Sequence, residues 1–426
     1  MLRDYPAGHR PHPGTASATD PAAAPGTSTR RYDLRFRVPR PGTSREEAGH
    51  DGGYSAGRNR VRAACRMKVV VTGASGNVGT ALLRTLLRAD DCEIVGIARR
   101  TPDLAYEPYS AARWIACDIG TDDAVETLRA ACAGADALVH LAWAIHPRRE
   151  DPPMRRTNLI GTENVLRAVA ETAVPHLVAA SSCAAYAPAE RWRRVSEEWR
   201  TFGVPGSAYS IAKAELETRL DRFEADHPEI RTARIRPCGI AGGEAAAELG
   251  DWILPPGFAR RLLGGRLLPV PLWREFRLQL VHSCDVASAI RRIVRRRAEG
   301  AFNLSAEPCL RADALAAIFG GFHLPVPRRV LDAAAWPGWW TGLAPLHPAW
   351  LELADRTSLV DSAKARRELG WVPRHGAGEV CAELVSALSA GRTGHSPPLA
   401  PARRVRVGHP SHQSQRPPGK HRRDCG

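Results

Sequence analysis

The chain has 426 residues, 44% hydrophobic and 25% charged, and its 60 Lys and Arg against 45 Asp and Glu give a formal net charge of +15. That excess sits at the ends: residues 1–66 carry 12 basic and 6 acidic side chains and residues 391–426 carry 8 and 1, which leaves about +2 for residues 67–390. A nearly neutral body argues against a dedicated nucleic-acid groove, which needs cations concentrated on a folded face, and no apolar run approaches the ~20 residues that span a bilayer.

The N-terminus has no apolar stretch resembling a secretory signal, so the expected location is the cytosol. Ten cysteines are scattered without a CxxC pair. Reduced, mostly buried thiols are therefore expected rather than structural zinc or a disulfide framework, and no metal site is predicted.

In chain order, residues 1–66 are rich in Pro, Gly, Ala, Ser, Thr and Arg without periodicity and read as a disordered extension. Met67 then opens a strand directly, which suggests natural translation from Met67; an intact mass that includes residues 1–66 would contradict this. Strand-like runs and helical patterns alternate from there. Strands are expected at 69–71, 93–97, 114–116, 137–140, 176–180 and 232–235, and helices near 78–87, 123–131, 154–170 and 209–223. This βαβ alternation predicts a Rossmann-like, doubly wound parallel sheet over residues 67–237. Shorter pieces over 238–390 predict a smaller C-terminal substrate-binding lobe, with some segments free to return to the sheet. Residues 391–426, rich in Pro, Arg and His, read as a disordered basic tail.

Behind the first strand stands Gly73-Ala74-Ser75-Gly76-Asn77-Val78-Gly79, a GxxGxxG that leads into an apolar helix. Its glycines suit a tight turn, close approach of a pyrophosphate and close helix–strand packing, while the helix N-terminus offers N–H groups to phosphate. An ordinary tight turn is the plain alternative. The second strand ends in Arg99-Arg100, where an NAD site usually presents an acidic residue to the ribose. Two guanidiniums there favour NADP over NAD, unless they are simply solvated.

Tyr209-Ser210-Ile211-Ala212-Lys213 is a YxxxK, which on a helix places phenol and ammonium on one face. One positive charge about 4 Å away at an effective dielectric of about 20 contributes ~4 kcal/mol, about what lowers a phenol pKa by three units. Lys213 is therefore expected to bring Tyr209 toward neutral pH. YxxxK alone is common as a surface pair. Upstream, however, Ser181-Ser182 ends an apolar strand, where strand ends open into the cleft of such a sheet, and Ser182 could hydrogen-bond the oxygen whose proton Tyr209 moves.

Together these residues resemble the extended short-chain dehydrogenase/reductase family, the NAD-dependent epimerase/dehydratase group, over residues 67–390. Further segments agree in order: Cys117-Asp118-Ile119, His140-Leu141-Ala142-Trp143, Asn158 to Thr162, Arg236-Pro237, Val281-His282 with Asp285, and Glu368 to Trp371. The resemblance implies that Gly73, Ser75, Gly76, Asn77, Val78 and Gly79 hold the pyrophosphate of NAD(P), and that Asp118 and Ile119 meet the adenine. It implies that Leu141, Ala142 and Trp143 line the path to the nicotinamide, with Asn158 and Pro237 beside it, and that Lys213 holds the nicotinamide ribose. Ser182, Tyr209 and Lys213 would be catalytic. A homodimer built on two long helices per subunit is a further implication. Two departures, Cys238 where nucleotide-sugar enzymes commonly have Asn and Leu278 where they often have Arg, put a nucleotide-sugar substrate in doubt.

The expected activity is hydride transfer at a secondary alcohol or ketone carbon of a small molecule, by an epimerase, dehydratase or reductase. A non-catalytic NADP-binding redox sensor is the alternative. Trp336 to Trp340, with Trp350, could line an apolar pocket or a dimer contact, though such clusters are more often packing. His282 and Asp285 read as structural supports, and the arginines at 292 and 295–297 as a solvated helix end.

Overall fold

The computed structural model describes residues 66–89, 92–145, 152–255, 258, 262–264, 267–343 and 347–400. The expected extension at 1–66 lies outside them except for Arg66, as does the tail beyond 400.

The first half alternates as its apolar runs predict: β1 Met67–Thr72, α1 Asn77–Leu87, β2 Cys92–Ala98, β3 Arg113–Ala116, α2 Ala124–Cys132, β4 Ala137–His140, α3 Gly161–Glu171, β5 His176–Ala180, α4 Ala208–Asp226 and β6 Arg231–Pro237. A helix α5, Ser283–Arg296, and a strand β7, Gly300–Leu304, then return to this sheet. The seven strands run in the order β7-β6-β5-β4-β1-β2-β3, and each adjacent pair is parallel. The chain reverses direction across the sheet between β1 and β4. In an open parallel sheet that switch point is where the ends of two strands leave a crevice.

Alternation along β1 sends Val69 and Val71 to one face and Val70 to the other. The first face packs against Leu82, Leu83 and Leu86 of α1 and Ile290 and Ile293 of α5. The opposite face packs against Leu128 of α2, Val165 and Val169 of α3, and Leu216 and Leu220 of α4. Both faces are dry, which is why β1, β4 and β5 are continuously apolar rather than alternating. A separate core gathers Leu263, Trp273, Phe276, Leu310, Leu315, Val380 and Leu384 from the second half of the chain. Sequence position 237 is thus followed by a separate cluster, yet residues 283–304 belong to the sheet.

His282 and Asp285 have the supporting roles their positions suggest. Asp285 accepts hydrogen bonds from the backbone N–H groups of Arg374 and His375 at 3.0 and 3.1 Å, and His282 bonds to Glu383 at 2.9 Å. Arg295, Arg296 and Arg297 are exposed as expected, while the half-buried Arg292, and Arg296 as well, donate to the carbonyls of Leu369 and Glu368 at the end of helix Ala363–Leu369. Those carbonyls have no partner within their own helix, so a guanidinium satisfies them.

The basic tail needs a correction over residues 391–400. Leu399 and Ser396 are buried, the Ser396 hydroxyl donates to the carbonyl of Ser75 at 2.6 Å, and the His395 ring stacks on Tyr106 at 3.8 Å. One apolar and two polar anchors fix this segment, too few to register as periodicity in a Pro-rich stretch. Among the described residues, no helix is long and apolar enough to cross a membrane.

Candidate active site

The glycine loop shows why glycine is required at two of its positions. Gly73 has φ +69, and a Cβ there would stand 2.6 Å from the Ala142 nitrogen. A Cβ on Gly79 would meet the Gly73 carbonyl oxygen at 2.4 Å. Gly76 caps α1 without a side-chain hydrogen bond, and the first turn of the helix, which begins with Asn77 and Val78, holds no acidic residue. Its N–H groups and the positive end of the helix dipole are therefore left for an anion. These residues fit the pyrophosphate of a dinucleotide.

Gly73→Ala tests this cradle. The strained φ and the contact with Ala142 should weaken NADPH binding at least tenfold in a fluorescence titration. An unchanged dissociation constant would contradict the role of the loop.

The segment after β4 is held against the loop. Thr72 and His140 are hydrogen-bonded at 2.7 Å and His140 and Thr162 at 3.0 Å, and burial lowers the His140 pKa to about 3, so its ring is neutral. Leu141 and Ala142 donate backbone N–H groups to the carbonyl and hydroxyl of Thr72. Asn158 sits in a π-helical turn, Arg156–Ile160, and pins Ala144 by two hydrogen bonds, one to its N–H at 2.6 Å and one to its carbonyl at 2.9 Å. Such turns often mark functional positions because they re-aim a side chain.

Asp118 accepts from the Gly120 N–H at 3.1 Å and pairs with Arg156 at 2.9 Å, while Ile119 is buried under Gly161. Arg99 and Arg100 stand exposed at the end of β2. Pro237 closes β6 beside Leu304 of β7.

Ser182 and Tyr209 meet. Ser182 follows the end of β5, and its hydroxyl accepts from the Ala184 N–H at 3.1 Å. The α4 helix begins one residue before Tyr209, with Ser207 as N-cap. Ser210 then ties that turn to the Ser182 loop by donating to the Ala184 carbonyl at 2.5 Å. Burial pushes the Tyr209 phenol up to about 12, and hydrogen bonding with Ser182 is the effect opposing it.

Lys213 does not do what the YxxxK spacing predicts. Its ammonium donates to the Ala180 carbonyl at 2.9 Å and lies 3.4 Å from the centre of the Trp143 ring, and it is absent from the groups that shift Tyr209. Helical spacing fixes the face a lysine leaves from; four flexible methylenes decide where it arrives. Burial lowers the Lys213 pKa to about 7, with Glu217 acting in the opposite sense. Cys183, beside Ser182, is buried and its thiol is pushed up to about 12, which leaves no thiolate to act as nucleophile.

Tyr209 faces a cavity of about 430 Å³ whose lining includes Trp143, Asn158, Ile211, Glu215 and Trp350. Trp350 comes from helix Ala349–Arg356, far along the chain, and its ring lies 5.4 Å from that of Tyr209. Sequence reasoning weighed this tryptophan mainly as packing; the only signal was its nearness to other tryptophans. Trp336 and Trp339 pack edge-on against His347, which also lines the cavity.

A switch-point crevice carrying a dinucleotide loop, with serine, tyrosine and lysine gathered beside a cavity, defines a Rossmann-type dinucleotide-binding protein. The chain belongs to the NAD dependent epimerase/dehydratase family, whose profile matches residues 69–305. A ketoreductase of Stigmatella aurantiaca, named for a farnesylated dihydroquinoline oxide, is 30% identical over 215 residues, covering 47% of this chain and 59% of that one. The NAD-dependent glucose-6-phosphate dehydrogenase of Haloferax volcanii is 28% identical over 178 residues, 39% of this chain and 66% of that one. The chain thus matches less than two thirds of the length of either relative. Among solved structures, the UDP-glucose 4-epimerase of Thermus thermophilus in complex with NAD covers 76% of this chain and 99% of its own, with TM-score 0.55 and 21% identity. That likeness is one of fold.

Proposed function

We propose that the protein is an NAD(P)H-dependent reductase that converts a ketone to a secondary alcohol. The observation that carries this reading is the Tyr209 phenol, which lines the cavity next to Ser182 and is kept protonated by burial. A protonated phenol is a proton donor, the role reduction requires. The similarity to the Stigmatella ketoreductase points the same way.

Gly73, Ser75, Gly76, Asn77, Val78 and Gly79 would hold the pyrophosphate, Asp118 and Ile119 the adenosine, and Leu141, Ala142, Trp143, Asn158, Lys213 and Pro237 the nicotinamide end. When bound, the dihydronicotinamide supplies the hydride that adds to the carbonyl carbon. The Tyr209 hydroxyl gives its proton to the carbonyl oxygen, and the Ser182 hydroxyl orients that oxygen. Asn158 keeps the segment after β4 in place. Lys213, anchored on the Ala180 carbonyl, would hold the nicotinamide ribose.

NADP is the preferred dinucleotide in this reading, because Arg99 and Arg100 stand where a 2′-phosphate would lie. Arg99→Ala should weaken NADPH at least tenfold and NADH less than twofold in fluorescence titrations, and equal losses would reject the preference. The reaction is tested by following dihydronicotinamide absorbance with a panel of ketones and isolating the alcohol. Dinucleotide binding without any turnover across the panel would favour a redox sensor instead.

A further inference from the structure

The cavity beside Tyr209 carries information about what enters it. Of the lining residues, Trp143, Met154, Leu159, Ile211 and Trp350 are apolar or aromatic. Arg155 and Glu215 are the charged ones among the described residues, and they cancel; Arg155 is exposed, and Glu215 faces Arg219 at 3.7 Å. A diphosphate brings about two negative charges and needs guanidiniums or clustered N–H donors to replace its water. This lining offers neither in excess.

The walls are rigid as well as apolar. Trp350 is tilted by 31° against the Tyr209 ring at 5.4 Å. Trp143 is fixed from one side by the Lys213 ammonium. His347 is wedged by Trp336 at 5.3 Å and Trp339 at 4.8 Å, both nearly perpendicular to it. Indole faces held in place favour a flat π-surface, since stacking adds to area burial and little freedom is lost on binding. The volume, about 430 Å³, lies in the range of small-molecule sites.

We infer that the ligand of this cavity is an uncharged, flat aromatic ketone that stacks on Trp350 with its carbonyl oxygen toward Tyr209, and that Trp350 is a specificity-determining residue. The inference rests on the reductase reading for its chemistry but not for its binding. The lack of net positive charge among the described lining residues argues against a nucleotide sugar as the preferred ligand, and the unfilled indole face against a small aliphatic ketone.

The test uses the full chain saturated with NADP and three probes: 2-acetylnaphthalene, cyclohexanone and UDP-glucose. Dissociation constants come from ligand-detected NMR, independent of turnover. The naphthyl ketone should bind at least tenfold more tightly than cyclohexanone, and UDP-glucose should not displace it. Trp350→Ala should weaken the naphthyl ketone about tenfold, or about 1.4 kcal/mol, while Trp350→Phe stays within about threefold of the parent. Cyclohexanone binding should change less than threefold in Trp350→Ala, which separates lost stacking from misfolding. Displacement by UDP-glucose, or a Trp350→Ala constant equal to the parent's, would overturn the inference. In a parallel assay with NADPH in place of NADP, stacking-dependent binding without nicotinamide oxidation would uphold it while refuting the reductase reading; turnover indifferent to Trp350 would do the reverse.

Discussion

Tyr209→Phe is expected to lower kcat for ketone reduction by about 10²–10⁴-fold, the range over which a positioned proton donor contributes. The phenyl ring preserves the packing against Trp350 and the start of α4, where Ser207 and Ser210 make the capping contacts. Dinucleotide binding should therefore stay within about twofold, and the loss should fall on kcat rather than on KM. The pH profile adds a second reading. With its phenol pushed up to about 12, Tyr209 is protonated across the neutral range and up to about pH 10, so its donor function is lost only at the alkaline end. That alkaline fall should be missing from the residual rate of the variant. Stopped-flow measurement of dihydronicotinamide oxidation checks both, and full turnover by Tyr209→Phe would remove the tyrosine from the chemistry.

Glu217→Leu should destabilise the fold by about 3–5 kcal/mol, the cost of stranding buried charge, against a total of roughly 5–15 kcal/mol for a typical domain. Glu217 is completely buried on α4. Its oxygens accept from Arg236 Nε and Nη2, each at 2.8 Å, and from Arg234 at 3.0 Å. Arg236 passes the network to the Tyr186 hydroxyl at 2.8 Å, which in turn donates to Asn303 on β7 at 2.7 Å. The network therefore ties α4, which carries Tyr209 and Lys213, to β6 and to the edge strand β7 beside it. Leucine fills the space but removes the carboxylate that Arg236 holds by two hydrogen bonds, leaving the half-buried Glu197 as a nearby counter-charge. Denaturant titration by circular dichroism measures the difference, and a loss below about 1 kcal/mol would contradict the network's importance.

The same carboxylate sets a pH dependence. Burial alone would raise the Glu217 pKa, but the hydrogen bonds and charges of Arg236 and Arg234 hold it below the usual 4.5. A depressed carboxylate stabilises the fold above its unfolded pKa, and that stabilisation is lost as pH falls through the folded value. The stability gap between parent and variant should therefore narrow in acid below pH 4.5.

What could be read from the sequence divides along a physical line. The strands β1, β4 and β5 are short, largely apolar runs bounded by turns or loops, and the helix after Gly76 shows its apolar face directly. Local pattern was enough there. It was also enough to bring Ser182 and Tyr209 to the same place, because a strand end and the first turn of the following helix both lie at the carboxyl end of the parallel sheet. Contacts made between distant segments left no such trace. Trp350 reaches Tyr209 from far along the chain, and Glu217 finds Arg236 and Arg234 only once α4 lies on β6. The return of residues 283–304 to the sheet was open in the sequence because α5 is an ordinary amphipathic helix that could have covered either half. Lys213 shows the limit most clearly: the spacing put it on the face of Tyr209, but the Ala180 carbonyl and the Trp143 ring claimed its ammonium.

The central claim is that Tyr209 delivers a proton to a carbonyl oxygen at the nicotinamide end of the crevice. A crystal structure of the full chain with NADP and 2-acetylnaphthalene tests it most directly. The account predicts the ketone oxygen at about 3 Å from the Tyr209 hydroxyl, with Ser182 as its second partner and the naphthyl ring against Trp350. A ketone oxygen turned away from Tyr209, or a crevice without dinucleotide at saturating concentration, would contradict it.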